Sequence, residues 1–229
     1  MQAVILAGGK GTRLRPITYE IPKPMVPVSR KPFLLHQLEL IKSFRIDKVL
    51  LLVGYLGDQV RDFFGDGSRF GLRIEYSFEE TPLGTGGALV KAKGKLASEF
   101  VLLNGDTYLP IEYDELIGCF YRSHKVGVIT AYNNFEKVLP NNLAVGTSNL
   151  VLEYNKNNPK GMTHVDAGVL VCKRDLLHCI PEGQECSLEE TVYSELIRRK
   201  ELLAFVVNQR FYDMGSFSEL ELLKDVLKQ

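Results

Sequence analysis

The sequence lacks an excess of charge of either sign, because 28 Lys and Arg residues balance 28 Asp and Glu residues. A broad nucleic-acid-binding surface usually shows as a strong basic excess, so this class of function is disfavoured. A long apolar run is also lacking. The N-terminal run at 3–7 has only five residues, too few for a signal-peptide core or a membrane span. These absences predict a soluble, cytoplasmic protein with neither nucleic acid nor membrane as a partner.

Cysteine is scarce, and its spacing disfavours zinc binding. The four cysteines form no C-x-x-C pair; they are Cys119, Cys172, Cys179 and Cys186. Without a secretory context we expect reduced thiols, as in cytosolic proteins, and no zinc site. With 229 residues, 45% of them hydrophobic, the chain is long enough for a large sheet covered on both faces.

The segment 4–31, VILAGGKGTRLRPITYEIPKPMVPVSRK, carries the strongest local signal. Its apolar start predicts a buried strand, and residues 8–11 then include three glycines. Glycines permit a tight turn and a close approach of a ligand to main-chain N–H groups, an arrangement that suits a phosphate. Arg13 and Lys23 supply positive charges for the same phosphate. The pattern predicts a polyphosphate-binding loop, and a tight turn without a ligand is the alternative.

Two better-known phosphate loops do not fit this segment. A Walker A loop needs Gly-Lys followed by Ser or Thr, whereas Gly9 and Lys10 are followed by Gly11. The dinucleotide fingerprint G-x-G-x-x-G would place its last glycine at Leu14.

Apolar periodicity predicts strands that alternate with helices in the first half of the chain. The predicted strands are 3–7, 48–53, 72–77 and 100–103, and the predicted helices are 33–44, 58–64 and 85–93. This alternation predicts a parallel, doubly wound α/β sheet. Ligands bind beyond the carboxyl ends of the strands in such sheets. The glycine-rich loop and the sequence Asn104-Gly105-Asp106 both fall at such ends.

The second half of the chain is less regular. Strands are predicted at 126–132, 144–145, 151–154 and 202–207, a buried apolar segment at 165–172, and a helix at 111–124. Two further helices are predicted to begin at Ser187 and Ser216, because a glutamate three residues later completes a capping box in each case. Neither a repeat nor a low-complexity linker divides the chain.

The strings LAGGKGTRL at 6–14 and IPKPM at 21–25 together resemble the signature of the sugar-1-phosphate nucleotidyltransferases, also called nucleotide-diphospho-sugar pyrophosphorylases. Further segments resemble the family's other motifs in their order: FEETPLGTGGA at 78–88, NGD at 104–106, YNK at 154–156, DAG at 166–168 and FYDMGS at 211–216. The resemblance spans residues 2 to about 220. It implies a Rossmann-like, doubly wound α/β fold, with a mostly parallel mixed sheet and helices on both faces.

The same resemblance implies one catalytic domain, 1–229, with a nucleotide-binding half at about 1–110 and a sugar-phosphate-binding half at about 111–229. It assigns catalysis to Arg13 and Lys23. The residues implied to bind the nucleotide are Leu6, Ala7, Gly8, Gly9, Gly11, Thr12, Arg13, Glu80, Gly84, Thr85, Asn104 and Gly105. Those implied to bind the sugar phosphate are Lys156, Asp166 and Gly168. Asp106 and Asp213 are implied to bind Mg²⁺, a hard cation that prefers carboxylate and phosphate oxygens.

The sequence departs from the family pattern at three of these positions. Asn155 replaces a glutamate, Asp166 replaces the usual asparagine, and Ser216 replaces a threonine. The first two changes bear on contacts with the sugar ring rather than on the reaction.

Among members of this family, the chain resembles most closely the short guanylyltransferases that act on mannose- or heptose-type 1-phosphates. The resemblance implies a Mg²⁺-dependent enzyme of EC 2.7.7 type that joins a nucleoside triphosphate to a sugar 1-phosphate and releases pyrophosphate. The base prediction depends on Glu80. An ionised carboxylate only accepts hydrogen bonds, and guanine presents two adjacent donors, N1–H and N2–H₂. GTP is therefore the predicted substrate.

Three other functions are compatible with parts of this pattern. A uridylyl- or thymidylyltransferase acting on a hexose 1-phosphate stays open, as does a catalytically silent regulatory subunit that binds sugar nucleotides. The residues implied to catalyse the reaction and bind the metal are all present, namely Arg13, Lys23, Asp106 and Asp213. Their presence favours the enzyme over the silent subunit. A cofactor guanylyltransferase is disfavoured by the long sugar-type second half. The sequence leaves open the identity of the sugar and whether the chain forms a homo-oligomer.

Overall fold

A computed structural model describes residues 1–181 and 183–228. The strands are β1 (Gln2–Ala7), β2 (Pro27–Val28), β3 (Lys31–Pro32), β4 (Lys48–Val53), β5 (Arg73–Phe78), β6 (Glu99–Asn104), β7 (Thr107–Tyr108), β8 (Gly127–Tyr132), β9 (Leu143–Val145), β10 (Val151–Tyr154), β11 (Val165–Lys173), β12 (Leu202–Val207) and β13 (Tyr212–Asp213). The helices are α1 (Phe33–Ser43), α2 (Gly57–Phe64), α3 (Gly84–Lys91), α4 (Tyr113–Ser123), α5 (Ser194–Arg198) and α6 (Phe217–Val226), with a π-helical segment at Leu188–Tyr193.

Seven strands form the central sheet in the order β12-β8-β11-β6-β1-β4-β5. The pairs β1–β4, β1–β6, β4–β5 and β8–β12 are parallel. Strand β11 lies between β6 and β8 and is antiparallel to both. The predicted mostly parallel mixed sheet is therefore confirmed.

Strands β1, β4 and β6 are buried on both faces of the sheet, which explains why they are continuous apolar runs, whereas the edge strand β5 alternates. In β1, Ala3 and Ile5 point to one face and Val4 to the other, as the two-residue period of a strand requires. Helices α1, α2 and α4 cover the first face, whereas α3, the π-helical segment and α5 cover the second. The helices on both faces of the sheet were predicted and are confirmed.

The boundaries of the predicted elements lie within a few residues of those observed, and both serine caps are present. Ser187 Oγ accepts a hydrogen bond from the main-chain N–H of Glu190 at 3.2 Å, and Ser216 Oγ accepts one from Glu219 at 3.3 Å. The helix after Ser187 differs from a regular α-helix, because it begins as the π-helical segment.

The last helix returns to the start of the chain. Leu220 and Leu223 of α6 pack in a third apolar cluster with Leu14 and Phe33. Just before α6, strand β13 pairs with β7, so that Asp213 lies opposite Thr107. These contacts bring the C-terminal part of the chain beside the glycine-rich loop. In the part of the chain that the structure describes, no helix is long and apolar enough to span a bilayer.

Candidate active site

A cavity of about 650 Å³ opens at the carboxyl ends of β1, β4 and β6. Most of the predicted site residues line it: Leu6, Ala7, Gly8, Gly9, Gly11, Thr12, Arg13, Lys23, Gly84, Thr85, Asn104, Gly105, Asp106 and Lys156. Four predicted residues do not: Glu80, Asp166, Gly168 and Asp213. The topology thus brings segments that are far apart in sequence to one concave surface, at the edge where such sheets bind ligands.

The glycine-rich loop at 8–13 presents main-chain donors to this cavity. Its conformation is held by the carbonyl of Gly11, which accepts hydrogen bonds from Leu14 N at 2.9 Å and Thr18 Oγ1 at 2.8 Å. Among the described residues, none accepts a hydrogen bond from the N–H groups of residues 9–12. Arg13 is exposed beside them. Free N–H groups next to a guanidinium form an anion-binding surface.

The turn that carries Asp106 is packed tightly against the end of β1. Gly105 N donates to the carbonyl of Leu6 at 3.0 Å, and a Cβ at position 105 would collide with that carbonyl. Glycine is therefore required by space here. Asp106 Oδ2 lies 2.5 Å from Lys23 Nζ, and only 12% of the Lys23 side chain is exposed. The structure thus joins the predicted catalytic lysine to a predicted metal ligand.

Asp213 lies close to Asp106, as the ladder between β7 and β13 requires. Burial, together with the nearby carboxyls of Glu219 and Asp106, raises the pKa of Asp213 to about 6, although a hydrogen bond from Gly215 N acts to lower it. A Cβ on Gly215 would lie 2.9 Å from Arg13 Nη1 and 2.8 Å from Glu219 Oε2. Arg13 therefore faces this carboxyl cluster.

The donor set fits a divalent cation that is shared with substrate. Within the described chain, no group of three or more His, Cys, Asp or Glu residues could hold a metal by itself. Mg²⁺ is often bound by one or two carboxylates together with substrate phosphates. Asp106 and Asp213 match that requirement.

The structure places Glu79, and not Glu80, against the cavity. Glu80 is exposed, whereas Glu79 is half-buried and lies so close to Gly8 and Gly54 that a Cβ on Gly8 would sit 2.5 Å from its Oε1. Glu79 extends the β5 ladder, with its N–H bonded to Val53 O at 2.9 Å, and the pleat turns adjacent side chains to opposite faces. Burial raises the pKa of Glu79, while a hydrogen bond from Leu83 N lowers it.

The loop at 79–83 and the first turn of α3 are bonded to the loop that precedes the π-helical segment. Cys186 N donates to Leu83 O at 2.9 Å, and Gly86 N donates to Cys186 O at 2.8 Å. Gly84 has a φ of 70° and lies against the main chain of Cys186, so that position favours glycine. The two halves of the chain are therefore connected directly beside the cavity.

Lys156 is held by a carboxylate that the sequence analysis did not single out. Its Nζ lies 3.0 Å from Glu189 Oε1, while Thr85 Oγ1 and Ser187 Oγ donate to Glu189 Oε2 at 3.0 and 2.9 Å. Burial acts to raise the pKa of Glu189, but Lys156 and the hydrogen bonds from its own main-chain N–H and from Ser187 outweigh burial, so the pKa is lowered. An acid in a first helical turn is common, which is why no sequence signal separated Glu189 from an ordinary surface residue.

Asp166 lies beneath this ion pair rather than in the cavity lining. Its Oδ1 accepts a hydrogen bond from Gly168 N at 2.9 Å. Burial, with a smaller contribution from the nearby Glu189, raises the pKa of Asp166 to about 6, although the Gly168 hydrogen bond and Lys156 act to lower it. Gly168 itself packs against Asn104 and Thr107.

Comparison with known proteins agrees with this geometry. Residues 2–137 match the profile of the nucleotidyl transferase family. The chain is 34% identical over 225 residues to the mannose-1-phosphate guanylyltransferase of Mycobacterium tuberculosis. It is 32% identical over 215 residues to the D-glycero-alpha-D-manno-heptose 1-phosphate guanylyltransferase of Campylobacter jejuni. Each alignment covers 94% of this chain, but 61% of the mycobacterial protein and 95% of the Campylobacter protein.

A solved structure is similar over the whole chain. HddC from Yersinia pseudotuberculosis, determined in complex with GMP-PN, superposes with a TM-score of 0.82 and 25% sequence identity. The superposition covers 99% of each chain.

Proposed function

Because the chain belongs to the nucleotidyl transferase family, we propose that it is an enzyme that condenses GTP with a mannose- or heptose-type sugar 1-phosphate. The products are the guanosine-diphosphate sugar and pyrophosphate. One observation carries this proposal: a single cavity combines the free N–H groups of the glycine-rich loop, the Lys23–Asp106 pair and a second cation, Lys156. The preference for GTP and for this sugar class is supported by the two guanylyltransferase relatives.

The reaction needs little acid–base chemistry. An oxygen of the sugar phosphate attacks the α-phosphorus in line, the bond from the α-phosphorus to the bridging oxygen breaks, and pyrophosphate leaves. Since the sugar phosphate is already a dianion, no strong general base is required. The barrier comes from repulsion between anions and from alignment, which a preorganised set of donors and cations reduces.

Several groups in and beside the cavity have a place in this scheme. The N–H groups of residues 9–12 and the Arg13 guanidinium hold the β- and γ-phosphates, and the planar fork of arginine suits such contacts. Lys23 neutralises the α-phosphate, and Lys156 holds the sugar phosphate. Asp106 and Asp213 would bind Mg²⁺, which would further neutralise the phosphate oxygens.

In the proposed enzyme, the chain is organised as a single domain with two halves. A nucleotide-binding half at about 1–110 and a sugar-phosphate-binding half at about 111–229 form one catalytic domain. The cavity lining takes residues from both halves, which supports this division.

We assign recognition of the base to Glu79, in place of Glu80, which the motif alone suggested. The Glu79 carboxylate lines the cavity, and its ionised form accepts two hydrogen bonds from guanine N1–H and N2–H₂. Uracil and thymine present one N–H between two carbonyls and would meet repulsion. Loss of such a buried pairing corresponds to about tenfold to hundredfold discrimination.

The proposed function is tested by a matrix of GTP, UTP, dTTP, CTP and ATP against mannose, heptose and glucose 1-phosphates, scored by pyrophosphate release. We expect the fastest release with GTP and a manno-configured sugar phosphate. Absence of release with every pair would contradict the proposal, and fastest release with UTP and glucose 1-phosphate would replace it by a uridylyltransferase.

The base assignment is tested at sub-saturating triphosphate with Glu79→Gln, and with Glu80→Gln as the matched control. We expect Glu79→Gln to reduce the preference for GTP over UTP by about tenfold or more. Glu80→Gln should leave the preference unchanged, because that side chain is exposed outside the cavity. The reverse pattern would return the role to Glu80.

A further inference from the structure

Gln37 is a polar residue in the middle of the core-facing side of α1. Most of the buried residues of α1 are apolar, among them Leu34, Leu38 and Ile41. Only 1% of the Gln37 surface is exposed. A buried amide is unfavourable unless it forms hydrogen bonds, so the bonds of Gln37 show what the residue does.

Both described bonds go to the turn that carries Asp106. Gln37 Nε2 donates to the carbonyl of Asn104 at 2.9 Å and to the carbonyl of Thr107 at 2.6 Å. These carbonyls lie on either side of Gly105 and Asp106. Among the described residues, none donates a hydrogen bond to Gln37 Oε1. The side chain therefore acts only through its two N–H groups, which clamp the turn from behind.

Within the described chain, the other anchors of the main chain of this turn are main-chain groups. Gly105 N donates to Leu6 O at 3.0 Å, and Met214 N donates to Asp106 O at 2.9 Å. Of these anchors, the Gln37 amide is the one that comes from a side chain and can be removed by substitution. It also joins the turn to α1, which is held in the core by the apolar residues around Gln37.

We propose that Gln37 is a positioning residue that sets the orientation of Asp106 for catalysis. The inference rests on the proposed function, in which Asp106 faces Lys23 and the reacting phosphates. Asp106 reaches Lys23 Nζ at 2.5 Å, a contact that depends on the direction in which the turn points its carboxylate. Small displacements of groups that hold reacting atoms lower the rate strongly, so loss of the Gln37 hydrogen bonds should lower the rate of the reaction.

The test uses Gln37→Met. Methionine matches glutamine in length, favours helices and is apolar, so it removes both donated bonds without leaving a polar atom buried. The matched control is Ile41→Val, one turn further along the same buried side of α1, which loosens the core slightly without removing a contact to the turn. Should Gln37→Met fail to fold, Gln37→Leu takes its place.

Three measurements are compared across wild type, variant and control. These are turnover with the preferred substrate pair, the affinity for Mn²⁺ in the presence of GMP-PNP measured by electron paramagnetic resonance, and hydrogen–deuterium exchange of residues 104–107 without substrate. We expect Gln37→Met to lower kcat and Mn²⁺ affinity by about tenfold to hundredfold. Exchange at the turn should rise, while the KM for GTP should change less than about threefold. Ile41→Val should resemble wild type in all of these.

Two results would overturn the inference. One is a Gln37→Met variant that matches Ile41→Val in turnover and Mn²⁺ affinity. The other is a Gln37→Met variant in which kcat and Mn²⁺ affinity fall while exchange at 104–107 stays as in Ile41→Val, which would show that the loss does not come from release of the turn. If wild type released pyrophosphate with no substrate pair, the proposed function would fail. The exchange measurement needs no substrate, and unchanged exchange in Gln37→Met would then reject the clamp by itself.

Discussion

The cavity has two ends that are built in different ways. The nucleotide end consists of residues 8–13, Lys23 and the turn at 104–106, and its donors are largely main-chain N–H groups. The other end, where the sugar phosphate is proposed to bind and which we call the sugar end, consists of Thr85, Lys156 and Glu189 with Asp166 beneath them, and its contacts join side chains. The nucleotide end holds N–H groups without an acceptor among the described residues, whereas at the sugar end Lys156 and Glu189 already pair with each other.

This difference indicates how each end would receive a phosphate. Main-chain donors are fixed by the fold, so binding there costs little further conformational entropy. At the sugar end, a phosphate must compete with Glu189 for Lys156. That lysine is 57% exposed, whereas Lys23 is 12% exposed, and exposed ion pairs contribute little free energy. We expect substitutions at the nucleotide end to act mainly on kcat, and those at the sugar end mainly on KM.

The largest effect is expected for Asp106→Ala. It removes a proposed metal ligand and the partner of Lys23, so turnover at saturating Mg²⁺ should fall by at least about a hundredfold. The control is Asp58→Ala, an exposed carboxylate on α2 that should leave turnover unchanged. Near-wild-type turnover in Asp106→Ala would remove this residue from the site.

The second-largest effect is expected for Lys23→Ala, with a loss of about a hundredfold in kcat and little change in the KM for either substrate. The reason is that Lys23 is proposed to act on charge that develops at the α-phosphate. Steady-state kinetics with each substrate varied in turn measures the split. A change confined to the KM for the sugar phosphate would place Lys23 at the sugar end and would contradict the proposed difference between the two ends.

At the sugar end, Lys156→Ala should raise the KM for the sugar 1-phosphate by about tenfold and lower kcat less. The effect is smaller because the side chain is exposed and its charge is screened by solvent. Lys160→Ala, an exposed lysine in the same loop, is the control and should have no effect. A kcat loss as large as that of Lys23→Ala would show that both ends act in the same way.

The smallest effect concerns stability and pH. The pKa of Asp166 is raised in the folded protein from 3.8 to about 6 by burial, so the ionised carboxylate is disfavoured by folding. This cost is absent below pH 3.8, grows as pH rises toward 6, and is complete above that. Asp166→Asn should therefore stabilise the protein at pH 8 by on the order of 1 kcal/mol.

The stabilisation should disappear near pH 3.8. There the Asp166 carboxyl of the folded wild type is neutral, like the amide of the Asn variant. The difference in free energy of unfolding between wild type and Asp166→Asn, measured with urea at several pH values, provides the check. Asp175→Asn, at an exposed position, should show no such pH dependence. A destabilised Asp166→Asn at pH 8 would mean that the ionised carboxylate is needed by its neighbours.

Local patterns in the sequence determined the secondary structure and the position of the glycine-rich loop. The apolar runs of β1, β4 and β6 were visible because both of their faces are buried, and the serine caps were visible because they depend on neighbours three residues away. The glycine-rich loop was visible because its glycines and cations are adjacent in sequence. Resemblance to a known family then indicated which distant segments would meet.

Tertiary structure decided what local patterns do not encode. Whether Glu79 or Glu80 enters the cavity depends on the pleat of β5 and on the space left by Gly8 and Gly54. The antiparallel insertion of β11 between β6 and β8 depends on pairing between distant strands. Gln37 stood in the sequence as a polar interruption of an apolar stripe. Only the packing of α1 against the turn at 104–107 gives its two N–H groups their acceptors, because hydrogen bonds between distant segments form only after the chain has folded.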